Sequence, residues 1–282
     1  MRAVVVGGSG QLGGWLLKVL SQRGHPSLGT YATTRFPELS LLDAANMESA
    51  ATWLRDQCPD LVFYPAGFTW VDACEREPDR ALQANCAQPL NLARVAASMR
   101  ARFVYFSTDY VFDGQDGPYH ESSPPHPLSV YGRSKLEAEH ALTEELGELA
   151  LIARTTWVYG PERQGKNFAY QLARTLQAGK ELVCPLDQVS TPSYAPDVAA
   201  AVVALAEQGV SGIVHVAGPE LLDRVTFARG LAKGLGLDPG LIVGKPTAEL
   251  GQVAARPLQS GLLCARLQAI NVDLPRGLDQ AV

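Results

Sequence analysis

Several features that mark other classes of protein are missing from this sequence of 282 residues. With 24 basic against 29 acidic residues, it has no basic surplus for binding a nucleic acid. No stretch free of Asp, Glu, Lys and Arg reaches the ~18 residues that a membrane-spanning helix needs. Because 46% of the residues are hydrophobic, the chain must bury a large core, which excludes a disordered protein. We expect a folded protein without nucleic-acid or membrane partners, too long for one ordinary domain.

Close cysteine pairs are also absent. The five cysteines form no C-x-x-C motif, which argues against a zinc site or a disulfide scaffold. We interpret them as buried thiols of a reducing compartment. Met1 and Arg2 lead directly into a predicted strand rather than into the apolar core of a signal peptide, so the expected location is cytoplasmic. His120 and His126 are expected to be solvated, and no metal site is predicted.

What the sequence does contain is a regular alternation of short apolar runs with longer segments of helical period. Parallel strands need helical crossovers, so the alternation predicts an α/β fold with a doubly wound parallel (Rossmann) sheet and helices on both faces. The predicted strands are Ala3–Val6, Leu28–Tyr31, Leu61–Tyr64, Arg102–Phe106, Leu149–Arg154 and Ile213–Val216. The predicted helices are Leu12–Leu20, Met47–Gln57, Asp79–Arg100, Val130–Leu146, Asn167–Ala178, Asp197–Glu207 and Val225–Leu235.

Two breaks in this pattern indicate how the chain is organised. The segment Asp113–Ser129 contains four prolines and is predicted to be a long functional loop. The pattern loosens after Gly160, and no element can be placed after Gly251. We expect a dinucleotide-binding Rossmann domain over residues 1–155, with a return segment near 195–215. The rest, residues 156–282, is expected to form a smaller α/β C-terminal domain that mainly binds substrate.

A glycine turn follows the first predicted strand. Gly7, Gly10 and Gly13 have the spacing G-x-x-G-x-x-G between a strand and a helix, where a dinucleotide-binding turn must lie. The first glycine permits a sharp turn, the second lets the backbone approach a pyrophosphate, and the third lets helix and strand pack closely. The helix N-terminus then faces the phosphates. We predict cofactor contacts from the three glycines and from Gln11 and Leu12 between them.

The end of the second predicted strand indicates which dinucleotide is bound. An NAD site usually has an acid there for the ribose 2′-hydroxyl, whereas this chain continues with Thr33, Thr34 and Arg35. Two hydroxyls and a guanidinium suit a 2′-phosphate. We therefore predict NADPH, with NADH as the alternative that an affinity measurement must exclude. Ala66 and Gly67, after the third strand, are expected to form part of the cofactor wall.

A tyrosine and a lysine lie on one face of the helix that follows the proline-rich loop. Tyr131 is the only one of nine tyrosines with a lysine, Lys135, four residues later. A phenol is a poor acid–base group at neutral pH, and a neighbouring ammonium is expected to lower its pKa. Lys135 can also reach the hydroxyls of the nicotinamide ribose. Thr108 follows the fourth strand, where ligands of open α/β sheets bind, and is predicted to donate a hydrogen bond to a substrate carbonyl.

These residues make the chain resemble the extended short-chain dehydrogenases/reductases, and more closely the dTDP-4-dehydrorhamnose reductase family. The resemblance covers most of the chain. Its most specific strings are S-T-D-Y-V-F-D-G, residues 107–114, and R-T-x-W-V-Y-G, residues 154–160. It also includes the segments 69–72, 128–135 and 187–192 and the pair Arg256-Pro257.

The resemblance implies an activity and a set of roles. The implied reaction is NADPH-dependent reduction of the 4-keto group of a nucleotide-linked deoxysugar. Hydride comes from the nicotinamide and a proton from Tyr131, with Thr108 and Lys135 completing the catalytic set. Asp43 and Tyr110 match cofactor contacts, and Thr69 and Trp157 match substrate contacts. Two roles of Arg256 are equally compatible with the sequence: it binds the substrate diphosphate, or it pairs with a carboxylate.

One position and several departures refine this assignment. The related 4,6-dehydratases carry Thr-Asp-Glu where this chain has Thr108-Asp109-Tyr110, which favours simple carbonyl reduction. Pro65 departs from the family pattern on the cofactor side. On the substrate side, Ser190 stands in place of the usual glycine and Gln259 in place of an asparagine, so the sugar and the nucleotide stay open.

The same branch of the family includes proteins with a second class of function. The regulatory β-subunit of methionine adenosyltransferase is similar to these reductases, binds NADP and acts as a protein partner. Because Thr108, Tyr131 and Lys135 do not distinguish the two, the sequence also leaves open this role. A homodimer is compatible with both readings.

Overall fold

The computed structural model describes all 282 residues, in thirteen strands and eleven α-helices. The strands are β1 (Ala3–Val5), β2 (Ser27–Tyr31), β3 (Ser40–Leu41), β4 (Leu61–Tyr64), β5 (Arg102–Thr108), β6 (Ala150–Thr155), β7 (Val158–Tyr159), β8 (Leu182–Pro185), β9 (Val189–Ser190), β10 (Ser193–Tyr194), β11 (Gly212–His215), β12 (Leu222–Asp223) and β13 (Ile242–Lys245). The helices are α1 (Gln11–Gln22), α2 (Met47–Gln57), α3 (Val71–Arg76), α4 (Pro78–Leu82), α5 (Gln88–Ser98), α6 (Val130–Leu146), α7 (Phe168–Gln177), α8 (Ala195–Glu207), α9 (Arg224–Gly234), α10 (Ala265–Ala269) and α11 (Leu278–Ala281).

Seven strands form one parallel sheet in the order β11-β6-β5-β4-β1-β2-β3. The order reverses between β1 and β4, so a crevice opens there beyond the carboxyl ends of the strands. This architecture confirms the predicted doubly wound Rossmann fold. No helix combines the length and the apolar composition that a membrane crossing needs.

The central strands are apolar on both sides, as a sheet covered by helices on both faces requires. Successive residues of β1 and β4 alternate between two core clusters. Ala3, Val5, Leu61 and Phe63 pack in the cluster that includes α1 and α8, whereas neighbouring residues pack in the cluster of α2, α5 and α6. Two helical layers thus hold the sheet and fix the position of its carboxyl edge.

The C-terminal half has a third core cluster. Phe227, Leu231 and Leu172 of α9 and α7 pack there against the small parallel pair β8–β13. Strand β11 belongs to the main sheet, and helix α8 packs in the helical layer on one face of it. Part of the tail also packs on that layer, through residues such as Leu262 and Leu267. The domain boundary near residue 155 stays a prediction.

Two details of local structure were not predicted. The predicted helix Asp79–Arg100 is divided into α4, a π-helical turn at Gln83–Ala87 and α5. The π turn contains the fully buried Asn85, whose side chain bonds to other segments. The tail after Gly251 contains α10 and α11, both shorter than two turns and therefore without a readable period.

Candidate active site

A large cleft lies at the point where the strand order reverses. It has a volume of about 990 Å³ and is lined by the residues that follow β1, β2, β4, β5 and β6. Most of the predicted site residues meet there. The lining includes Gly7, Gly10, Gln11, Leu12, Thr33, Asp43, Ala66, Gly67, Thr69, Thr108, Tyr110, Tyr131, Lys135 and Trp157. Gly13, Thr34, Arg35 and Arg256 are not part of it.

The glycine turn brings β1 and α1 into close contact. Gly7 has φ of +92°, and a Cβ at this residue would lie 2.9 Å from the Cβ of Ala66. A Cβ on Gly13 would lie 2.1 Å from the carbonyl oxygen of Gly7, so α1 can start this close to β1 only with glycine there. Helix α1 has no side-chain cap and no acid in its first turn. Its first N–H groups are therefore available to an anion, which fits a dinucleotide.

The part of the cleft that follows β2 contains only part of the predicted 2′-phosphate site. Thr33 and Asp43 line the cleft. The hydroxyl of Thr34 instead donates to Oε1 of Gln164, at 3.1 Å. Arg35 is exposed outside the lining, and its contact with a phosphate stays a prediction.

Gln164 is a site residue that sequence reasoning missed. It belongs to the segment after β7, lines the cleft, and donates from Nε2 to the carbonyl oxygen of Ser9 at 2.6 Å. Gln11 donates to Gly160 O at 3.3 Å in the same region. The segment 160–164 thus crosses the glycine turn from the C-terminal half. The sequence has no motif that indicates a contact over more than 150 residues.

Helix α6 places the tyrosine and the lysine. Ser129 caps its N-terminus by accepting a hydrogen bond from Gly132 N, so the helix begins immediately before Tyr131. Both side chains are buried, at 8% exposure for Tyr131 and 3% for Lys135. The Lys135 ammonium donates to the carbonyl oxygen of Phe106 at 2.9 Å and lies 4.5 Å from the centre of the Tyr105 ring. These contacts fix Lys135 against strand β5.

The expected lowering of the Tyr131 pKa was wrong for this structure. Burial raises the pKa of Tyr131 above its usual value, and a hydrogen bond with Thr108 offsets only part of this effect. Burial also lowers the pKa of Lys135 to about 8, against the opposing effect of Glu139. The physical reason is that loss of water penalises the charged form of both groups. Tyr131 is accordingly a protonated phenol.

Asn85 supports this centre from the π-helical turn. Its amide nitrogen donates to Ser134 Oγ and to Phe68 O, both at 3.0 Å, and its Oδ1 accepts from Phe68 N at 2.8 Å. A Cβ on Gly67 would lie 2.9 Å from that oxygen and 3.4 Å from Lys135 Nζ. Asn85 therefore holds the segment after β4 beside Lys135. A pattern read as a continuous helix could not reveal it.

Trp157 marks the other end of the cleft, beyond β6. It has φ of +39°, a strained conformation for a bulky residue and one that is typical of functional sites. The guanidinium of Arg224, at the start of α9, lies 3.5 Å from the centre of a Trp157 ring and 4.8 Å from that of Phe168. Arg224 forms no ion pair, and burial lowers its pKa to about 10. The sequence had not indicated it.

Arg256 has a carboxylate partner. Its Nη2 donates to Asp72 Oδ1 at 2.7 Å, while its Nη1 is buried without a hydrogen-bond partner. The guanidinium also lies 5.9 Å from the centre of the Tyr110 ring, a cleft-lining side chain. The ion pair thus involves Nη2 and leaves Nη1 without a hydrogen-bond partner. Its contact with a substrate stays a prediction.

The whole chain, residues 1–282, matches the family model described as the RmlD substrate-binding domain. It is 37% identical over 93% of its length to the probable low-salt glycan biosynthesis reductase Agl14 of Haloferax volcanii, covering 89% of that protein. It is 34% identical over 93% of its length to a dTDP-4-dehydrorhamnose reductase of Mycobacterium tuberculosis, covering 84% of it.

Two further similarities bear on cofactor and role. A crystal structure of dTDP-4-dehydrorhamnose reductase from Bacillus anthracis in complex with NADP superposes with a TM-score of 0.91, at 26% identity over 99% of this chain and 96% of the other. The methionine adenosyltransferase 2 subunit beta of Xenopus laevis is 30% identical over 96% of this chain, which covers 83% of that protein.

Proposed function

The chain belongs to the RmlD substrate-binding domain family, and from that premise we propose that it reduces the 4-keto group of a nucleotide-linked deoxysugar with NADPH. Its class is that of the NAD(P)-dependent oxidoreductases. The observation that carries the finer proposal is the convergence of Thr108, Tyr131 and Lys135 on the same cleft as the glycine turn.

Tyr131 is the proposed proton donor. Because burial keeps it protonated, it can transfer a proton to the substrate oxygen as that oxygen gains negative charge. NADPH supplies the hydride when it is bound. Thr108, 5% exposed at the end of β5, polarises the carbonyl from the same side. Lys135, fixed by Phe106 O, orients the ribose hydroxyls and carries a proton below its pKa of about 8.

The choice of NADPH over NADH depends on the loop after β2. No acid follows this strand within residues 32–37, whereas Thr33 lines the cleft and Arg35 is exposed on the same loop. A solvent-exposed arginine can turn toward a 2′-phosphate and bind it through two N–H groups. The complex of the Bacillus anthracis relative with NADP supports this choice.

Arg224 and Arg256 are the proposed receptors of the substrate diphosphate. The two guanidiniums act electrostatically on each other and on Tyr110. Asp72 pairs with Arg256 alone, so the charge of the partly buried Arg224 has no anionic partner in the protein. A buried cation without a partner is costly, and an anionic ligand offsets that cost. A nucleoside diphosphate sugar has its anionic group between base and sugar, where two arginines can meet it.

A regulatory role is the second candidate, because the chain is also similar to the methionine adenosyltransferase β-subunit. The two functions differ in turnover. The test is NADPH oxidation, followed by absorbance, with a panel of nucleotide-linked 4-keto sugars that includes dTDP-4-dehydrorhamnose. The reductase consumes NADPH with at least one member of the panel. Tight NADPH binding without consumption, together with a stable complex with another protein, contradicts it.

Tyr131→Phe tests the proposed proton donor. General acid catalysis contributes about 10²–10⁴-fold, so kcat should fall by about that factor. The NADPH dissociation constant should change by less than about threefold, because the phenyl ring keeps its packing against Tyr110 at 5.6 Å between ring centres. Tyr119→Phe, outside the cleft lining, is the matched control and should keep kcat. Unchanged turnover in Tyr131→Phe would rule out the proposed donor.

A further inference from the structure

Asp109 is a buried acid that the reduction described above does not use. It directly follows Thr108, is 2% exposed, and takes part in none of the ion pairs of the protein. Its Oδ2 accepts hydrogen bonds from Ser260 Oγ at 2.7 Å and Ser190 Oγ at 3.0 Å. Its Oδ1 faces Thr108 Oγ1 at 3.2 Å. The two carboxyl oxygens therefore have different partners.

The hydroxyl of Thr108 has one proton, and besides Tyr131 it has two hydrogen-bond neighbours on its own turn, Tyr110 and Asp109. Its oxygen accepts a hydrogen bond from Tyr110 N at 3.2 Å. When Asp109 is a carboxylate, Oδ1 can only accept, so the threonine proton points to Asp109. Thr108 then has no proton to donate to a substrate carbonyl. When Asp109 is a carboxylic acid, Oδ1 can donate to Thr108 Oγ1 and the threonine proton is free.

We propose that Asp109 is a positioning residue that sets the direction of the Thr108 hydroxyl, and that only its protonated form lets Thr108 donate to the substrate carbonyl. This inference rests on the proposed reduction, since it gives Thr108 the task of polarising that carbonyl. No net proton leaves Asp109 in the step. The acid and the threonine each donate one hydrogen bond, and the substrate proton still comes from Tyr131.

The surroundings of Asp109 favour the acid form. Burial raises its pKa, and the hydrogen bonds from Ser260, Thr156, Ser190 and Thr108 offset part of that effect. The titratable or charged groups that act on this site are Tyr110 on the same turn, Tyr131 on α6 and Arg224 on α9. Both tyrosines are held neutral by burial, and the positive charge of Arg224 favours the carboxylate.

Ser190 allows the balance between the acid and the carboxylate form of Asp109 to be altered without changing Asp109 itself. Ser190 lies in β9, is fully buried, and also contacts Thr156 Oγ1 at 2.8 Å. The resembling family usually has a glycine at this position. A hydroxyl that donates to Asp109 stabilises the carboxylate. Ser190→Gly should therefore raise the pH at which activity is lost, without removing a group that touches substrate.

The pH profile follows from the sign of protonation. Activity should be highest while Asp109 is protonated and should fall as the pH rises through its pKa. Asp109→Asn mimics the acid form. The serine hydroxyls require an acceptor at the Oδ2 position, so the amide NH₂ faces Thr108 and can donate permanently. Its kcat should stay within about threefold of the wild type at the optimum, and the alkaline loss assigned to Asp109 should disappear.

Asp109→Leu removes both the hydrogen bond to Thr108 and the acceptor of the serine hydroxyls. Its kcat should fall by about tenfold or more, with the NADPH dissociation constant changed by less than about threefold. In a Thr108→Val background, replacing Asp109 by Asn should no longer alter the pH profile, because the residue acts through Thr108. An Asp109→Asn enzyme that keeps the wild-type alkaline loss, or that loses activity as strongly as Asp109→Leu, overturns the proposal.

Infrared spectroscopy of the complex with NADPH separates this inference from the proposed function. A buried carboxylic acid gives a C=O stretch that should be absent in Asp109→Asn and shifted in Thr108→Val. If no nucleotide sugar is turned over, the proposed reduction fails, and the spectrum still decides the link between Asp109 and Thr108. A wild-type spectrum without such a band between pH 5 and 8 overturns the link, even in an active enzyme.

Discussion

The two halves of the cleft are built in different ways. The cofactor half is formed mainly by backbone at the carboxyl ends of neighbouring strands, with the glycine turn after β1 at its centre. The proposed substrate half depends on side chains from segments far apart in sequence: Trp157 lines the cleft, Arg224 packs on Trp157, and Arg256 lies near the cleft residue Tyr110. A motif can describe the first kind of site, because its geometry is local. The second kind depends on how the C-terminal segments fold back.

The strongest way to break the cofactor half is to add one methyl group at Gly13. In Gly13→Ala the new Cβ would lie 2.1 Å from Gly7 O, so α1 must move away from β1. We expect NADPH affinity to fall by well over tenfold and the free energy of unfolding to fall by about 1–3 kcal/mol. Calorimetric titration and denaturant unfolding measure the two effects.

Gly14→Ala is the matched control for this change. Its Cβ would meet nothing nearer than Gly8 O at 3.7 Å, an ordinary contact. Alanine is also the better helix former, by about 1 kcal/mol. The variant should bind NADPH like the wild type and unfold at an equal or higher denaturant concentration. Equal behaviour of the two alanine variants would contradict a cofactor half built on close backbone contact.

Arg35→Ala tests a side chain in the backbone-built half. Removing a charge-assisted contact with the 2′-phosphate should weaken NADPH binding about 10–100-fold, whereas NADH binding should stay within about twofold. Arg55→Ala, an exposed arginine of α2, is the control and should affect neither. An equal loss of affinity for NADPH and NADH would show that Arg35 does not bind the 2′-phosphate.

Arg224→Gln tests a side chain of the proposed substrate half. Losing one of two proposed diphosphate contacts should raise KM for the nucleotide sugar about tenfold and leave the NADPH dissociation constant unchanged. Lys233→Gln, on the exposed face of α9, should change neither. Steady-state kinetics with both substrates varied separates the two constants. An increase in the NADPH dissociation constant alone would show that Arg224 acts on cofactor binding rather than on binding of the nucleotide sugar.

Lys135 lies where the halves meet, and its buried charge should be visible in stability. Below pH 8 it is protonated in both the folded and the unfolded protein, so the cost of burying its charge is fully present. Between pH 8 and 10.5 the unfolded chain binds more protons, so the free energy of unfolding gains up to about 3 kcal/mol as the pH rises. Denaturant unfolding at several pH values should show this gain in the wild type and in Lys180→Met, an exposed control, but not in Lys135→Met.

Sequence reasoning found the sheet, the glycine turn and the three proposed catalytic residues because each follows a local rule. Period and strand ends place Thr108, Tyr131 and Lys135 without knowledge of the rest of the fold. It did not find Asn85, because a π-helical turn has no periodic signature. Nor did it find the contacts of Arg224 with Trp157 or of Ser260 with Asp109, because these depend on the path of the chain after residue 156.

The pKa of Tyr131 also depends on the whole fold and could not be predicted from local sequence. The spacing to Lys135 suggested a lowered value, but the depth of burial sets the direction, and burial is a property of the whole fold. The Lys135 ammonium also bonds to Phe106 O. A residue pair four positions apart indicates a shared helix face and says little about how much water reaches it.

The transfer of isotope from cofactor to sugar tests the proposed reduction most directly. The protein is given NADPH deuterated on the transferred side of the nicotinamide together with dTDP-4-dehydrorhamnose, and the product is examined by NMR. We expect one deuterium at C4 of the sugar for each NADPH oxidised. Oxidation without deuterium at C4, or a product with the label elsewhere on the ring, would contradict it.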